Sequence, residues 1–440
     1  MTNDRRFLGF IRLTPGVMSS HAWTLLYGAF FTIGLLTFVG IGTPLILNQN
    51  LGIPLDQQGD VTGTLGFWTE IAQILLFVAV GVTADRVGRR SVYALGMLIM
   101  GLAYVLYPLA ESIGELTLYR VIYAAGVACA AGMLATVVND YPKEQSRGKM
   151  IAVVGILNGM GVVVVAFSFG SMPEWLLGRG VDAVSAARFT YWAVAFFCVL
   201  TAVVLRFGLQ PGTPVRADQR PPALELAKAG LRNARNPRIA LAYAAAFVAR
   251  SDLVVLGLFT VLWGNVAAMA AGMEPAEATS VGRRLFGTAQ IAALLWAFLL
   301  GPFLDRFNRV SLMAFCMGMA AIGYIGVAFV EDPLAPNALP LFALLGIGQI
   351  SAFFGATTLI GQEAPLLERG AVIGVFNFAG AIGILFATKI GGVLFDTVDP
   401  SAPFVMIGCL NLLIFIAAMV VRVMSPGPNP RQAQTDVSAT

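Results

Sequence analysis

Long apolar stretches separated by short polar breaks run through this sequence. A helix that crosses a bilayer needs about 20 mostly apolar residues. Twelve stretches reach that length, at 22–47, 62–84, 91–110, 116–138, 149–171, 188–208, 238–268, 283–304, 310–330, 337–360, 370–394 and 402–424. Backbone groups in lipid must be satisfied within their own segment, so each stretch predicts a helix. The short alternating segments of a membrane barrel are absent. The expected fold class is an all-α membrane protein with twelve transmembrane helices.

Composition agrees with that pattern. Of 440 residues, 58% are hydrophobic and 12% charged, with mean hydropathy +0.79. Soluble domains carry about 25% charged residues, and a soluble fold could not hide this much apolar surface. The first stretch begins near Trp23, is too long for a signal-peptide core and shows no cleavage site, so it is expected to be retained. Cys129, Cys198, Cys316 and Cys409 lie singly inside apolar runs and read as thiols packed between helices. The single histidine, His21, precedes the first apolar run and suits a surface position at a helix end.

Basic residues set the orientation. With the N-terminus inside, 21 of the 28 lysines and arginines fall in inner segments, including Arg86, Arg89, Arg90, Arg147, Arg306, Arg309, Arg369 and Arg422. The opposite loops lean acidic, with Asp56, Asp60, Glu111, Glu115, Glu331, Asp332, Asp396 and Asp399. Both termini are therefore expected in the cytoplasm, the chain in the inner (plasma) membrane. The net charge of +4 reflects this asymmetry and does not imply a nucleic-acid partner. The longest polar break, 209–236, carries Pro211, Pro214, Pro221 and Pro222, then LELAKAGLRNARNP, which suits a short amphipathic helix on the membrane surface. It divides the chain into an N-terminal six-helix bundle at 1–208 and a C-terminal one at 237–424. The polar tail 425–440 is expected to be disordered.

The two halves repeat. Gly81-Val-Thr-Ala-Asp85-Arg86-Val-Gly88-Arg89-Arg90 follows the second stretch, and Gly301-Pro-Phe-Leu-Asp305-Arg306-Phe-Asn-Arg309 follows the eighth, 220 residues later. Both read G-x-x-x-D-R-x-x-R. A second pair, Asn139-Asp140-Tyr-Pro142 and Gln362-Glu363-Ala-Pro365, leads to Arg147-Gly148 and Arg369-Gly370 at offsets of 222 to 223. Gly161 aligns with Gly383. Duplicated halves in a transporter place the solute site between them, near the bilayer midplane.

The segment GVTADRVGRR resembles the signature loop of the major facilitator superfamily, and the resemblance extends over all twelve stretches. It implies two six-helix bundles related by a pseudo-two-fold axis that rock about a central site. It further implies that Gly81, Asp85, Arg86, Gly88, Arg89 and Arg90, with the second copy at Asp305, Arg306 and Arg369, form a conformational latch. Asp140 and Glu363 end their helices where they can partner those arginines. Leu118-Tyr119-Arg120, followed by Gly126 and Gly132, resembles the family's helix-four motif, whose arginine is tied to proton coupling; Arg120 could instead snorkel to the interface. The fifth stretch has Gly155, Gly159 and Gly161 but lacks the proline of the drug–proton antiporter motif.

Ionisable groups inside apolar stretches are costly and mark function. Glu70 lies within the second stretch, where desolvation suits it to bind and release a proton; its alternative is a structural bond to Arg120 or Tyr123. Arg250-Ser251-Asp252 lies about twelve residues into the seventh stretch, near the midplane. Two positions apart, Arg250 and Asp252 face different sides of one helix. Arg250 suits a substrate carboxylate or phosphate, Asp252 a proton or a cation, and a structural network with Gln290 or Gln349 is the alternative. Asn158, Gln290, Gln349 and Asn377 suit interhelical hydrogen bonds or substrate contact.

The expected function is secondary active transport of a small organic solute by a monomer, coupled to protons or, alternatively, sodium, with no other cofactor. The rivals are a proton-driven drug antiporter and a non-transporting solute sensor. No GxxxxGK[ST] run offers an ATP site, and no cluster of nucleophile, base or metal ligands suggests an enzyme.

Overall fold

The computed structural model describes residues 6–212, 223–304, 307–365 and 368–425. Asp305 and Arg306, the prolines at 214, 221 and 222, and most of the tail lie outside the described residues. Among those described, twelve helices have 18 or more residues: α1 (Ser19–Gln49), α2 (Gln58–Val87), α3 (Arg89–Leu106), α4 (Ile113–Asp140), α5 (Arg147–Gly170), α7 (Ala183–Gly208), α9 (Pro237–Ala270), α10 (Pro275–Leu304), α11 (Arg309–Gly326), α12 (Leu339–Glu363), α13 (Arg369–Thr397) and α14 (Ala402–Met424). Two short helices complete the set, α6 (Met172–Leu177) and α8 (Ala223–Arg232). Among the described residues, eleven of the long helices have windows long and apolar enough to cross a membrane. Large apolar side chains such as Leu295, Leu299, Phe196 and Val423 are left exposed along these helices, as lipid-facing residues must be.

The chain forms two compact units. The first comprises residues 1–54, 68–218 and 269–283, and the second 55–67, 219–268 and 284–440. Thus the opening turns of α2 group with the second unit and those of α10 with the first.

In the first unit, α1 crosses α5 at a point where Gly34 and Gly161 remove side chains. A Cβ on Gly161 would lie 1.9 Å from the Phe30 carbonyl oxygen, so only glycine permits this approach. Beside it, Phe38, Tyr104 and Tyr191 form an aromatic core whose ring centroids lie 5.2 to 6.0 Å apart. In the second unit, α9 crosses α13 in the same manner: a Cβ on Gly383 would lie 2.0 Å from the Phe247 carbonyl. The aligned glycines of the sequence repeat therefore occupy matching helix crossings. Trp263 is buried against Phe342 and Phe404.

Three elements depart from the sequence reading. Helix α10 starts eight residues before the expected 283, because Pro275 opens it and Glu277 suits its first turn while its first turns are too polar to register as a span. A two-strand hairpin pairs β1 (Arg6–Phe7) with β2 (Ile11–Arg12) and carries Arg12 to Ser146, whose Oγ accepts its N–H at 3.0 Å. His21 is buried rather than on the surface, because its Nδ1 accepts the Met18 N–H at 3.2 Å and so caps the start of α1. The expected linker helix is present as α8, but it seats on α13: Gly230 meets the chain at Ala371, and Tyr243 donates its hydroxyl to the Gly230 carbonyl at 2.9 Å.

Candidate functional site

Arg250, Ser251 and Asp252 are consecutive on α9, and a helical turn of about 100° per residue sends them to three neighbours. Arg250 donates from Nη2 to the Asn377 Oδ1 of α13 at 3.4 Å, and its guanidinium lies 5.8 Å from the Phe353 ring centroid of α12. Its stem passes over Gly380, where a Cβ would sit 2.5 Å from Arg250 Cγ. Ser251 returns its hydroxyl to the Phe247 carbonyl at 2.8 Å. Asp252 is fully buried and accepts the Asn411 amide of α14 at 2.7 Å. The Tyr324 hydroxyl of α11 donates to the Asp252 main-chain carbonyl at 2.5 Å. Arginine and aspartate thus serve different faces. Gln349 is buried on α12, and Gln290 is half-buried on α10.

In the first unit, Arg120 is 3% exposed, which excludes a snorkelling position. Its Nε donates to Thr69 Oγ1 at 3.0 Å, its Nη1 to the Tyr107 hydroxyl at 3.5 Å, and its guanidinium lies 5.4 Å from the Tyr123 ring centroid. Glu70, next to Thr69, is half-buried. Asn158 on α5 is half-buried, with an Oδ1 that receives no donor among the described residues.

The loop motif sits at the α2–α3 junction. Gly88 has φ +96°, a conformation that favours glycine, and it separates the two helices. Arg89 pairs with Asp140 at the end of α4. Gly81 faces open space, Arg86 is exposed and Arg90 half-buried, and the side chain of Asp85 lies outside the described residues. Glu363, at the end of α12, pairs at 3.0 Å with Arg238 at the start of α9. Arg147 and Arg369 make matching contacts: each turns back to a main-chain carbonyl eight residues earlier, Asn139 at 3.2 Å and Gly361 at 3.4 Å.

The linker is tied to α13 through Glu368, which accepts from Arg232 Nη2 and Asn233 Nδ2, both at 2.5 Å. The Asn233 amide and then the Arg232 guanidinium hold this carboxyl below its ordinary value of 4.5. A lowered value means the contact contributes above pH 4.5 and is lost as pH falls through the folded-state value. Hydrogen-exchange protection across 223–235, measured relative to the intrinsic exchange rate at each pH, should therefore fall on acidification below 4.5. Glu368→Gln should raise the neutral-pH exchange rate and flatten that response; an unchanged neutral-pH rate would contradict the tie.

Several partners were hidden in the sequence. At the opposite end of α13, Asp396 accepts the N–H groups of Gly59 and Asp60 at 2.8 and 2.6 Å, capping the start of α2, and Lys389 reaches Asp60 at 2.8 Å. In the first unit, Glu174 on α6 contacts the Ser280 hydroxyl, and Arg283 lies 5.4 Å from the Phe167 ring centroid. Glu174 and Asp396 stand 222 residues apart, and Asp60 and Ser280 stand 220 apart, the offsets of the repeat. Asn411, the partner of Asp252, was not among the expected polar residues, although it is the one asparagine of the last apolar stretch.

The model described as Major Facilitator Superfamily matches residues 25–388 and 253–438. The chain is 29% identical to the magnetosome protein MamH of Paramagnetospirillum magneticum over 87% of this chain and 88% of that protein. It is 27% identical to the magnetosome protein MamZ of Magnetospirillum gryphiswaldense, covering 92% of this chain but 63% of that longer relative. Among solved structures, the nucleoside transporter NupG superposes with TM-score 0.65 at 15% identity, covering 92% of this chain and 99% of that one, a likeness of fold.

Proposed function

This chain belongs to the major facilitator superfamily, and from that premise we propose that it is a proton-coupled secondary transporter of a small organic anion. It crosses the inner membrane twelve times, keeps both termini in the cytoplasm and works by alternating access. The observation that carries the substrate class is Arg250. It lies about 20 Å along α9, in the interior of a spanning helix, oriented by Asn377 and Phe353. An always-charged fork at that depth suits a carboxylate or phosphate, and an aromatic face beside it supports an apolar substrate body. Glu70, a half-buried acid inside the second apolar stretch and next to the Arg120 partner Thr69, is the group to which we assign uptake and release of the coupling proton.

The test begins with a thermal-shift screen of organic anions on purified protein, with Arg250→Ala as the control that should abolish any shift. Uptake of the resulting anion into proteoliposomes then follows under an imposed pH gradient. Glu70→Gln should lose accumulation driven by the gradient while retaining exchange of labelled for unlabelled solute. Arg250→Ala should lose both by at least tenfold, the loss of about 1.4 kcal/mol or more of binding. Full gradient-driven uptake by Glu70→Gln would exclude that residue as the coupling acid.

The likeness to MamH and MamZ favours a second reading of location, a magnetosome membrane. Density-gradient fractionation of the source cells, followed by immunodetection, separates the two membranes.

A further inference from the structure

Asp252 has 0% exposure, and its surroundings supply few donors. The Asn411 amide donates to Oδ1, whereas Oδ2 has no partner. The Tyr324 hydroxyl is committed to the Asp252 main-chain carbonyl, and the Ser251 hydroxyl to that of Phe247. Arg250, two residues earlier, is directed to Asn377 and Phe353. An ionised carboxylate with a single neutral donor in an apolar interior carries a large desolvation cost.

Asn411 shows the complementary deficit. One amide hydrogen goes to Asp252 Oδ1 and the other to the Ile407 carbonyl at 3.1 Å. Its own Oδ1 is buried and receives nothing. Two planar groups already joined by one hydrogen bond thus leave one orphaned oxygen each. Both deficits are answered by one positive species between them. Two oxygens are too few for a hard metal cation, which takes six or more. A proton needs only these two.

We propose that Asp252 and Asn411 hold a resident proton, carried on Asp252 Oδ2 and donated to Asn411 Oδ1, so that acid and amide close a doubly hydrogen-bonded ring between α9 and α14. The ring is uncharged. It pins the helix that presents Arg250, and its proton stays in place. Asp252 is then a positioning residue, distinct from the acid that exchanges protons. The pairing does not depend on what the protein transports.

Replacement by amide and by hydrocarbon separates the possibilities. In Asp252→Asn the new amide donates directly to Asn411 Oδ1 and accepts from Asn411 Nδ2, reproducing the ring with no proton required. Its thermal midpoint in detergent, followed by tryptophan fluorescence, should match wild type. Asn411→Leu removes the ring and strands the acid, and its midpoint should fall clearly below wild type. Infrared spectra of wild-type protein at neutral pH should contain a protonated-carboxyl stretch that Asp252→Asn lacks. A large drop in midpoint or a failure to fold in Asp252→Asn would overturn the proposal, since a required negative charge is the property that variant removes. So would the absence of the protonated-carboxyl band, or an Asn411→Leu midpoint equal to wild type.

Discussion

Gly161→Val and Gly383→Val are each expected to abolish recovery of folded, monodisperse protein. The obstacle at both sites is main chain. A Cβ would lie 1.9 Å from the Phe30 carbonyl oxygen at Gly161 and 2.0 Å from that of Phe247 at Gly383. A flexible side chain could yield, but a carbonyl inside a helix moves only with the helix. Overpacking in a core costs about 1–3 kcal/mol when side chains can shift, so separating two helices should cost more than about 3 kcal/mol. Without a hydrophobic drive in lipid, close packing of small residues is what joins such helices. Alanine brings the same Cβ to the same carbonyl, so it too should lower recovery and thermal midpoint, by less than valine, which adds two methyl groups. Size-exclusion profiles of detergent extracts and thermal midpoints check both positions. A wild-type midpoint in either valine variant would show that the crossing is looser than the structure has it.

Those two glycines also show what was legible in the sequence. Their alignment at an offset of 222 follows from the motif repeat alone. The apolar stretches located the long helices because lipid demands a long unbroken signal, and helix α14 was expected at the residues it occupies. The opening turns of α10 were missed because alternating small and charged residues carry no such signal. The site was less readable. Periodicity sends Arg250 and Asp252 to different faces, but it does not say which helix each face meets. Asn411 and Asn377 are both lone asparagines in apolar runs, and only packing distinguishes the partner of the acid from the partner of the arginine. Asp396 and Glu174 resembled ordinary loop-side acids, because a contact with a helix distant in sequence leaves no local pattern.

Arg120→Ala should be the most damaging single substitution of a charged residue in the first unit, lowering stability by about 3 kcal/mol. A hydrogen bond to a charged group contributes about 1.5–3 kcal/mol in water-soluble proteins, and interhelical bonds in membranes average about 0.6. Arg120 makes two such bonds, to Thr69 and Tyr107, and its guanidinium faces Tyr123 at 5.4 Å, worth about 2 kcal/mol when desolvated. Against this stands the cost of burying the charge, which the variant recovers. Arg120→Met should therefore lose less than Arg120→Ala, because it fills the space and removes the same charge. Arg120→Lys should fall between wild type and alanine, since a point charge cannot serve two acceptors with the fixed fork of a guanidinium. Denaturant titration in micelles gives the order, and Thr69→Val combined with Arg120→Ala isolates the Nε bond as the non-additive part. An interfacial arginine would predict near-neutral effects for all three substitutions. That outcome would place Arg120 in the headgroup region and dissolve the tyrosine-lined site around it.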